Sequence, residues 1–198
     1  MIFGIFLILA GVLVIFVQVN LLTAFLSLLT AFLYVLVYTP MKKVSWINTT
    51  IGAIPGAIPP MGGWSAATGE VGVGAWALFL IMFVWQHPHF YSIAWIFRED
   101  YKRAGFKMLS LDDPQGKRIF FHTVLYSLLL IPVSMVPSMI QISGIKYLAG
   151  SLILGAVLLY YSLNLKKRAS HTAAHQLLKA SVFYLPALLF LIILDQSF

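Results

Sequence analysis

The stretch VWQHPHFYSIAWIFREDYKRAGFKML, residues 84–109, begins inside an apolar segment and ends in a dense group of charges. His87 and His89 flank Pro88 within the apolar part, at a depth typical of a membrane-spanning helix. The charged residues that follow directly are Arg98, Glu99, Asp100, Lys102 and Arg103. Ionisable residues inside a membrane are costly, so the two histidines are candidates for a functional role.

The whole chain shares this apolar character. Of its 198 residues, 61% are hydrophobic and 10% are charged, whereas soluble domains carry about 25% charged residues. This deficit predicts an integral membrane protein of one domain. The absence of cysteine excludes disulfides and thiolate metal sites. The net charge of +7 does not predict a nucleic-acid partner, because the basic residues lie in short loops, as topology signals do.

Seven apolar runs are close to the roughly 20 residues that a membrane-spanning helix needs. They cover residues 2–17, 21–38, 47–67, 73–97, 120–140, 147–165 and 177–194. The first lacks the basic region and cleavage site of a secretory signal, so it is also predicted to span. Because the runs do not alternate between apolar and polar residues, they predict helices and not a β-barrel. The predicted fold class is an all-α, polytopic transmembrane bundle.

The distribution of positive charge supports this count. With seven spans, every Lys and Arg falls on one side of the membrane except Lys146, which lies on the other. These residues are Lys42, Lys43, Arg98, Lys102, Arg103, Lys107, Lys117, Arg118, Lys166, Lys167, Arg168 and Lys179. The positive-inside rule therefore predicts that the joints after the second, fourth and sixth spans are cytoplasmic.

The spacing of the histidines determines what they can do together. Two positions apart on a helix means about 200° around the axis, so His87 and His89 cannot clamp one metal ion. Pro88 removes one backbone donor and crowds the Val84 carbonyl, which predicts a bend. The simpler interpretation is that each histidine hydrogen-bonds a neighbouring helix, and we weigh it against a functional role.

His89 and Asp100 are eleven residues apart, which returns nearly to the same helical face, about 16 Å further along the axis. If the helix continues, His89 lies deep and Asp100 lies at the cytoplasmic rim of the same cleft, with Trp85 on that face. Carboxylates at such a rim can hold Mg²⁺, and Lys or Arg can bind phosphate. The acidic residues of this loop are a weak metal signal alone, and a solvated loop is the alternative.

Two further stretches stand out. In YTPMKKVSWINTT, residues 38–50, Tyr38 and Lys42 are one helical turn apart, but Pro40 is expected to interrupt the helix and leave a turn at the rim. An interfacial tyrosine and a topogenic lysine explain that pair equally simply. In IGAIPGAIPPMGGW, residues 51–64, the dense glycines and prolines fit either a broken helix that lines a cavity or a tightly packed kinked helix.

The segments YTPMKK, NTTIGAIPGAIPPMGGW, WQHPHFYSIAW and EDYKRAGFKML occur in this order. Together they resemble the haem O synthases (protohaem IX farnesyltransferases) of the UbiA-type intramembrane prenyltransferases. The resemblance runs from Tyr38 onward. It implies a nine-helix all-α bundle with a central cavity, in which a farnesyl group passes from farnesyl diphosphate to a vinyl group of haem B.

The resemblance also implies roles for individual residues. Mg²⁺ would be held by Asp100 with Glu99. Catalytic residues would be Asp100, Lys42 and Arg103. The substrate-binding residues would be Tyr38, Lys42, Trp85, His87, His89, Tyr101 and Lys102.

Two departures from the family pattern concern its acidic motifs. The first motif, N-D-x-x-D-x-x-x-D, has no counterpart in the 198 residues. In the second, D-x-x-x-D, Asp100 is followed four residues later by Ala104. We therefore expect residues 1–198 to be one transmembrane prenyltransferase-like domain that lacks its N-terminal part, and we expect this fragment alone to be inactive.

Other functions remain open at this stage. A non-catalytic haem- or lipid-binding membrane subunit is one alternative, and a transporter, which the broken helix permits, is another. The expected location is the cell (inner) membrane, with several passes and cytoplasmic basic loops. Expected partners are farnesyl diphosphate, haem B and the bilayer, with terminal-oxidase assembly factors as candidate protein partners.

Overall fold

The computed structural model describes residues 2–196, and these residues are almost entirely helical. The long helices are α1 (Ile2–Gln18), α2 (Leu21–Phe32), α4 (Asn48–Thr68), α5 (Val73–Ile96), α8 (Lys117–Met139), α9 (Ile145–Arg168) and α10 (His171–Leu194). A π-helical segment, Leu33–Tyr38, joins α2 to α3 (Thr39–Met41), and α6 (Arg98–Arg103) and α7 (Leu109–Asp112) are short. Each of the seven predicted spans coincides with one long helical segment, which confirms the all-α prediction.

Four of the helical segments between residues 2 and 196 are long and apolar enough to cross a membrane. They are Leu21–Met41, Lys117–Met139, Ile145–Arg168 and His171–Leu194. Helices α4 and α5 are also long enough, at 21 and 24 residues, but they carry the prolines and polar side chains discussed below. Helix α1 is apolar and shorter, at 17 residues. The chain is therefore a multi-pass helical membrane bundle.

Proline does not break the helices as the sequence suggested. The backbone N–H of Thr39 donates to the carbonyl of Tyr34, five residues back, and that wide turn accommodates Pro40 without a break. The N–H of Lys42 then donates to Tyr38 over 3.2 Å, so the expected interruption at Pro40 is wrong. Helix α4 likewise runs unbroken through Pro55, Pro59 and Pro60, which favours the tightly packed helix over the broken one.

Helix α5 is the centre of the bundle. It packs against α4 on one side, against α8 on another and against α10 on a third, while α8–α9 and α9–α10 form antiparallel pairs. Helix α1 packs against α2 and buries none of its side chains. Hydroxyl groups join the buried helices: Ser127 Oγ lies 2.7 Å from Ser162 Oγ, and Ser134 Oγ lies 2.7 Å from Tyr184 Oη. In lipid, such polar contacts and close packing hold helices together, because burying apolar surface gives no gain.

Contacts to backbone carbonyls hold the loops together at each end of the bundle. At one end the N–H of Lys107 donates to the Lys42 carbonyl over 2.7 Å, and His171 Nε2 lies 3.3 Å from the Ile96 carbonyl. At the other end Asn20 Nδ2 donates to the Ser65 carbonyl over 2.9 Å. The three basic joints therefore share one end, as the charge distribution predicted.

The α8–α9 contact depends on a glycine. A Cβ atom on Gly155 would lie 2.8 Å from Cγ1 of Ile131, whereas one on Gly11 of α1 would meet nothing within 4 Å. We predict that Gly155→Val lowers the free energy of unfolding by about 1–3 kcal/mol, because overpacking forces the two helices apart. Thermal unfolding in one detergent measures this, with Gly11→Val as the matched control. Equal unfolding midpoints for the two variants would contradict the close approach.

Candidate active site

A cavity of about 250 Å³ opens at the end of the bundle that carries the basic loops. Its walls come from the α2–α3 segment, α4, α5, α6 and the loop after α6. The lining residues are Tyr34, Tyr38, Lys42, Thr49, Gly52, Gly56, Gln86, Phe90, Tyr101, Phe106 and Met108. The lining is aromatic and apolar with one cationic side chain, a combination typical of a site for an amphiphilic anion.

Lys42 lies among three aromatic rings. Its Nζ is 4.4 Å from the centroid of Tyr38, 5.5 Å from that of Tyr34 and 6.0 Å from that of Phe106. The rings attract the ammonium group and take water away from it, which strengthens its interaction with an incoming anion. The sequence alone favoured a topogenic role for Lys42, and the continuous helix through Pro40 explains why it stands over Tyr38 instead.

Tyr101 lines the same cavity from α6. Burial raises the pKa of its phenol above the ordinary value, so the hydroxyl stays protonated at neutral pH. A protonated phenol donates a hydrogen bond, so Tyr101 and Lys42 together offer donors to phosphate oxygens.

Two glycines of α4 make room for the cavity wall. A Cβ on Gly52 would lie 2.6 Å from the Tyr38 ring, and one on Gly56 would collide with the Gln86 carboxamide. Gln86 is buried, and its Nε2 donates to the carbonyls of Ala53 over 3.1 Å and Met82 over 3.2 Å. The glycines thus let the π-helical segment and α5 approach α4 closely enough to close the site.

Asn48 fixes the loops at the mouth of the cavity. Its side chain is buried, and Nδ2 donates to the carbonyls of Ser45 over 2.7 Å and Lys107 over 2.5 Å. The N–H of Lys107 in turn donates to the Lys42 carbonyl. The loop after α6 is therefore tied to the segment that carries Lys42.

The acidic residues of α6 lie outside this cavity. Asp100 pairs with Arg103 on an exposed face, and Glu99 Oε1 lies 3.7 Å from Arg98 Nε. Glu99 and Lys102 line a second depression, of about 510 Å³, on the loop surface. Of the predicted α6 residues, Tyr101 alone is in the lining of the first cavity.

The single helix expected to align His89 with Asp100 does not exist. Helix α5 ends at Ile96, and Phe97, with φ −103° and ψ 25°, turns the chain before α6 begins. The backbone is not helical at that turn, so a spacing of eleven residues no longer places the His89 and Asp100 side chains on one helical face. His89 faces α10, and Asp100 lies on exposed α6.

His87 and His89 point to different neighbours, as their spacing predicted. His87 is fully buried: Nδ1 lies 2.8 Å from the Phe83 carbonyl, Nε2 lies 3.3 Å from Thr50 Oγ1, and the ring stacks on Tyr126. His89 Nδ1 lies 2.9 Å from Ser181 Oγ of α10.

Trp85 contacts His89 and does not line the cavity. The two rings stack with centroids 4.8 Å apart, and Trp85 Nε1 donates to the Ser181 carbonyl over 2.9 Å. This confirms that Trp85 shares a face with His89. Neither histidine is brought together with Lys42.

Residues 1–190 match the UbiA prenyltransferase family. The chain belongs to this family. The bundle also superposes on the solved structure of a digeranylgeranylglyceryl phosphate synthase, with a TM-score of 0.80 and 20% identity, over 98% of this chain and 67% of that one. That likeness concerns the fold.

Curated relatives in the UbiA family are more similar in sequence. Proteins named protoheme IX farnesyltransferase from Solibacter usitatus, Koribacter versatilis and Salinibacter ruber are 46%, 43% and 41% identical to this chain. The matches cover 82–83% of this chain and 55–57% of the relatives. The chain thus spans little more than half the length of the curated relatives it matches.

The side chains present fit the Mg²⁺ ion that the UbiA family implies only in part. Residues 2–196 contain no cluster of three or more metal-ligating side chains. Asp113 serves as a helix cap, accepting from the N–H groups of Arg118 over 2.6 Å and Ile119 over 3.0 Å. Glu99, Asp100 and Asp112 remain as hard oxygen donors at this end of the bundle, and Mg²⁺ is often held by one or two carboxylates together with substrate phosphates.

Several cavity residues escaped the sequence analysis, among them Tyr34, Gln86 and Phe106. Two had a recognisable signal: Tyr34 stands four residues before Tyr38, and Gln86 is an uncharged polar residue inside an apolar run. Phe106 had none, because its place depends on how the loop after α6 folds back.

We predict that Asn48→Ala lowers the free energy of unfolding by about 1–3 kcal/mol, because both hydrogen bonds of this buried amide are lost. The loop between α6 and α8 should also become more sensitive to protease. Asn164→Ala is the matched control, since that amide makes one exposed contact, 3.3 Å from Gln176 Oε1. An unchanged unfolding midpoint and protease rate for Asn48→Ala would show that the loop is held by other contacts.

Proposed function

We propose that this chain carries out farnesyl transfer from farnesyl diphosphate to a vinyl group of haem B, which gives haem O. The observation that carries the proposal is the identity of 41–46% to proteins named protoheme IX farnesyltransferase, over most of this chain. The cavity adds chemical support, because the Lys42 ammonium suits a diphosphate group and the aromatic lining suits a prenyl chain. We treat residues 1–198 as one domain of such an enzyme.

The diphosphate is proposed to bind at the mouth of the cavity. Lys42 supplies a partly desolvated positive charge, and Tyr38 and Tyr101 supply hydroxyl groups in the same lining. Lys102 and Arg103 stand on α6 beside Tyr101 and are proposed to add positive charge as the leaving group departs. Arg103 would have to exchange its partner Asp100 for phosphate oxygens.

Asp100 and Glu99 are proposed to hold Mg²⁺ together with phosphate oxygens. The metal would supply charge neutralisation of the diphosphate. Release of Asp100 from Arg103 would serve both roles, because the carboxylate becomes free for the metal when the guanidinium turns to phosphate.

The bond changes follow from the chemistry of the substrates. The C–O bond of farnesyl diphosphate breaks, and its electron pair leaves with diphosphate. The vinyl group of haem B then forms a C–C bond to the allylic cation, and water adds to the resulting porphyrin-side cation with loss of one proton. The faces of Tyr34, Phe90 and Phe106 line the cavity where this cation would form, and they stabilise positive charge.

His89 is proposed to orient haem B. Its Nδ1 is engaged with Ser181, which leaves Nε2 as the atom for haem iron or a propionate. Trp85 stacks on the same ring and would fix its plane. His87 is the weaker candidate, since both of its ring nitrogens have partners and its side chain is fully buried.

The proposed location is the cell (inner) membrane, with the basic end of the bundle in the cytoplasm. The bias of Lys and Arg to one end supports this orientation. A haem product made there must reach a haem protein, and this need supports terminal-oxidase assembly factors as partners.

The test is haem O formation by membranes that contain this chain, supplied with farnesyl diphosphate, haem B and Mg²⁺ and followed by mass spectrometry of extracted haem. Haem O above the level of control membranes is the result that the proposal predicts, and it would show that the inactivity expected of residues 1–198 alone from the sequence is wrong. Haem B bound without any farnesylation would favour the alternative of a non-catalytic haem-binding subunit.

Where activity is measured, we predict that Lys42→Gln lowers kcat/KM by roughly 10² to 10³, because a charge aimed at the leaving group is lost. Lys43→Gln is the matched control, since Lys43 is the adjacent lysine and is exposed. Equal activity for the two variants would remove Lys42 from the proposed site.

For the orientation, we predict that reporters fused after Lys43, Lys107 and Arg168 report a cytoplasmic location. Reporters after Gly69 and Ser143 should report the opposite side. The reason is that a seven-helix path places these two groups of joints at opposite ends of the bundle. An external signal at Lys107 would contradict the seven-span topology.

A further inference from the structure

The outer face of the α9–α10 pair carries a groove of about 330 Å³, separate from the candidate active site. The lining residues are Leu154, Val157 and Tyr161 of α9, and Gln176, Lys179, Ala180, Phe183 and Tyr184 of α10. None of them lines the cavity that contains Lys42. Both helices are apolar enough to cross a membrane, and Val157 and Phe183 of the groove are exposed, so in a bilayer this groove would face lipid.

The polar residues of the groove gather towards one end of it. Asn164 Nδ2 lies 3.3 Å from Gln176 Oε1 across the two helices, and Lys179 follows about one turn later on α10. From the rise of a helix, Gln176 is about 8 Å and Lys179 about 12 Å from the start of α10 at the basic end. A lysine at this depth is costly on a lipid-facing surface unless its ammonium reaches a polar partner.

The opposite half of the groove is apolar. Leu154 and Val157 precede Tyr161 on α9, and Phe183 follows Lys179 on α10. Leu154, Val157 and Phe183 therefore lie farther from the basic end of the bundle than Gln176 and Lys179. Val157 and Phe183 are 45% and 68% exposed, which leaves apolar surface open along the groove. A polar mouth above an apolar floor matches a molecule with a headgroup and a hydrocarbon chain.

The charge around the mouth determines the sign of that headgroup. Lys166, Lys167 and Arg168 end α9 at the same end of the bundle and are exposed. The residues that line the groove include no acid. The local field is therefore positive, and it favours an anion over a zwitterion.

We propose that the α9–α10 groove binds an anionic phospholipid of the surrounding bilayer. Its phosphate contacts the Lys179 ammonium and the Gln176 amide, and an acyl chain lies along Leu154, Val157 and Phe183. This lipid site does not depend on the proposed farnesyl transfer.

The experiment uses the purified chain in phosphatidylcholine nanodiscs with phosphatidylglycerol as the probe. The affinity for phosphatidylglycerol is measured by native mass spectrometry. One lysine at an anionic surface contributes enough that Lys179→Gln should weaken this affinity about fivefold. Lys179 is exposed, so the variant should keep the unfolding midpoint of the parent chain.

Two matched control variants distinguish a specific phospholipid site from general electrostatic attraction to an anionic bilayer. Lys146→Gln lies at the opposite end of the bundle, and Lys167→Gln removes one charge near the groove but outside its lining. The proposal expects less than a twofold change for Lys146→Gln, and a loss for Lys167→Gln that is clearly smaller than the loss for Lys179→Gln. Equal losses for Lys167→Gln and Lys179→Gln, or equal binding of phosphatidylcholine, would overturn it.

A protein occupant would give a different result. Because the chain has no native cysteine, Phe183→Cys is a unique crosslinking site. Crosslinking between two copies at Phe183→Cys, with no measurable phosphatidylglycerol affinity, would assign the groove to a second copy of the chain and overturn the lipid proposal. Saturable phosphatidylglycerol binding with no crosslink between copies at Phe183→Cys would support it.

Discussion

The lack of water inside a bilayer is the constraint on which this structure depends. Every polar group within the spans needs a partner from the protein itself. The chain meets most of this need with hydroxyl pairs such as Ser127–Ser162 and Ser134–Tyr184, and with His87 and Gln86 bonded to backbone carbonyls. Trp64 Nε1 of α4 is an exception, since it is buried without a hydrogen-bond partner in the described part of the chain. The hydrogen bonds that are made also select how the helices pack, because a shift of one turn would leave buried polar atoms without partners.

The same constraint explains why the cavity lies where it does. The glycines of α4 allow a close approach, and the side chains that fill the space, Tyr38 and Gln86, come from neighbouring helices. Close packing continues until the bundle reaches its basic end, where Asn48 ties the loops together. The candidate site lies between the closely packed interior of the bundle and the charged loops. This position suits a substrate with an apolar chain and an anionic headgroup.

The loop after α5 contributes to the site in a way that helical periodicity does not describe. The turn at Phe97 breaks the register, so Tyr101 faces the cavity while Asp100 and Arg103 pair on the exposed side. In the proposed mechanism, substrate phosphate would compete with this pair, because it would attract Arg103 and leave the Asp100 carboxylate free. Under that proposal, α6 is the part of the site whose contacts would change most on anion binding.

Length, apolar runs and the distribution of Lys and Arg were enough to determine seven helices and the end of the bundle at which the charged loops meet. These properties depend on local composition, which a linear sequence contains. Local composition alone could not predict which side chains form the candidate site. Tyr38, Lys42 and Tyr101, which the resemblance named as substrate-binding residues, line one cavity, whereas Tyr34, Gln86 and Phe106 of the same lining were missed. Their positions depend on a π-helical turn that accommodates Pro40, on two glycines that admit neighbouring side chains, and on a loop that folds back through Asn48. Each is a contact between residues distant in sequence or a departure from ideal helical rotation, so only the tertiary structure could decide it.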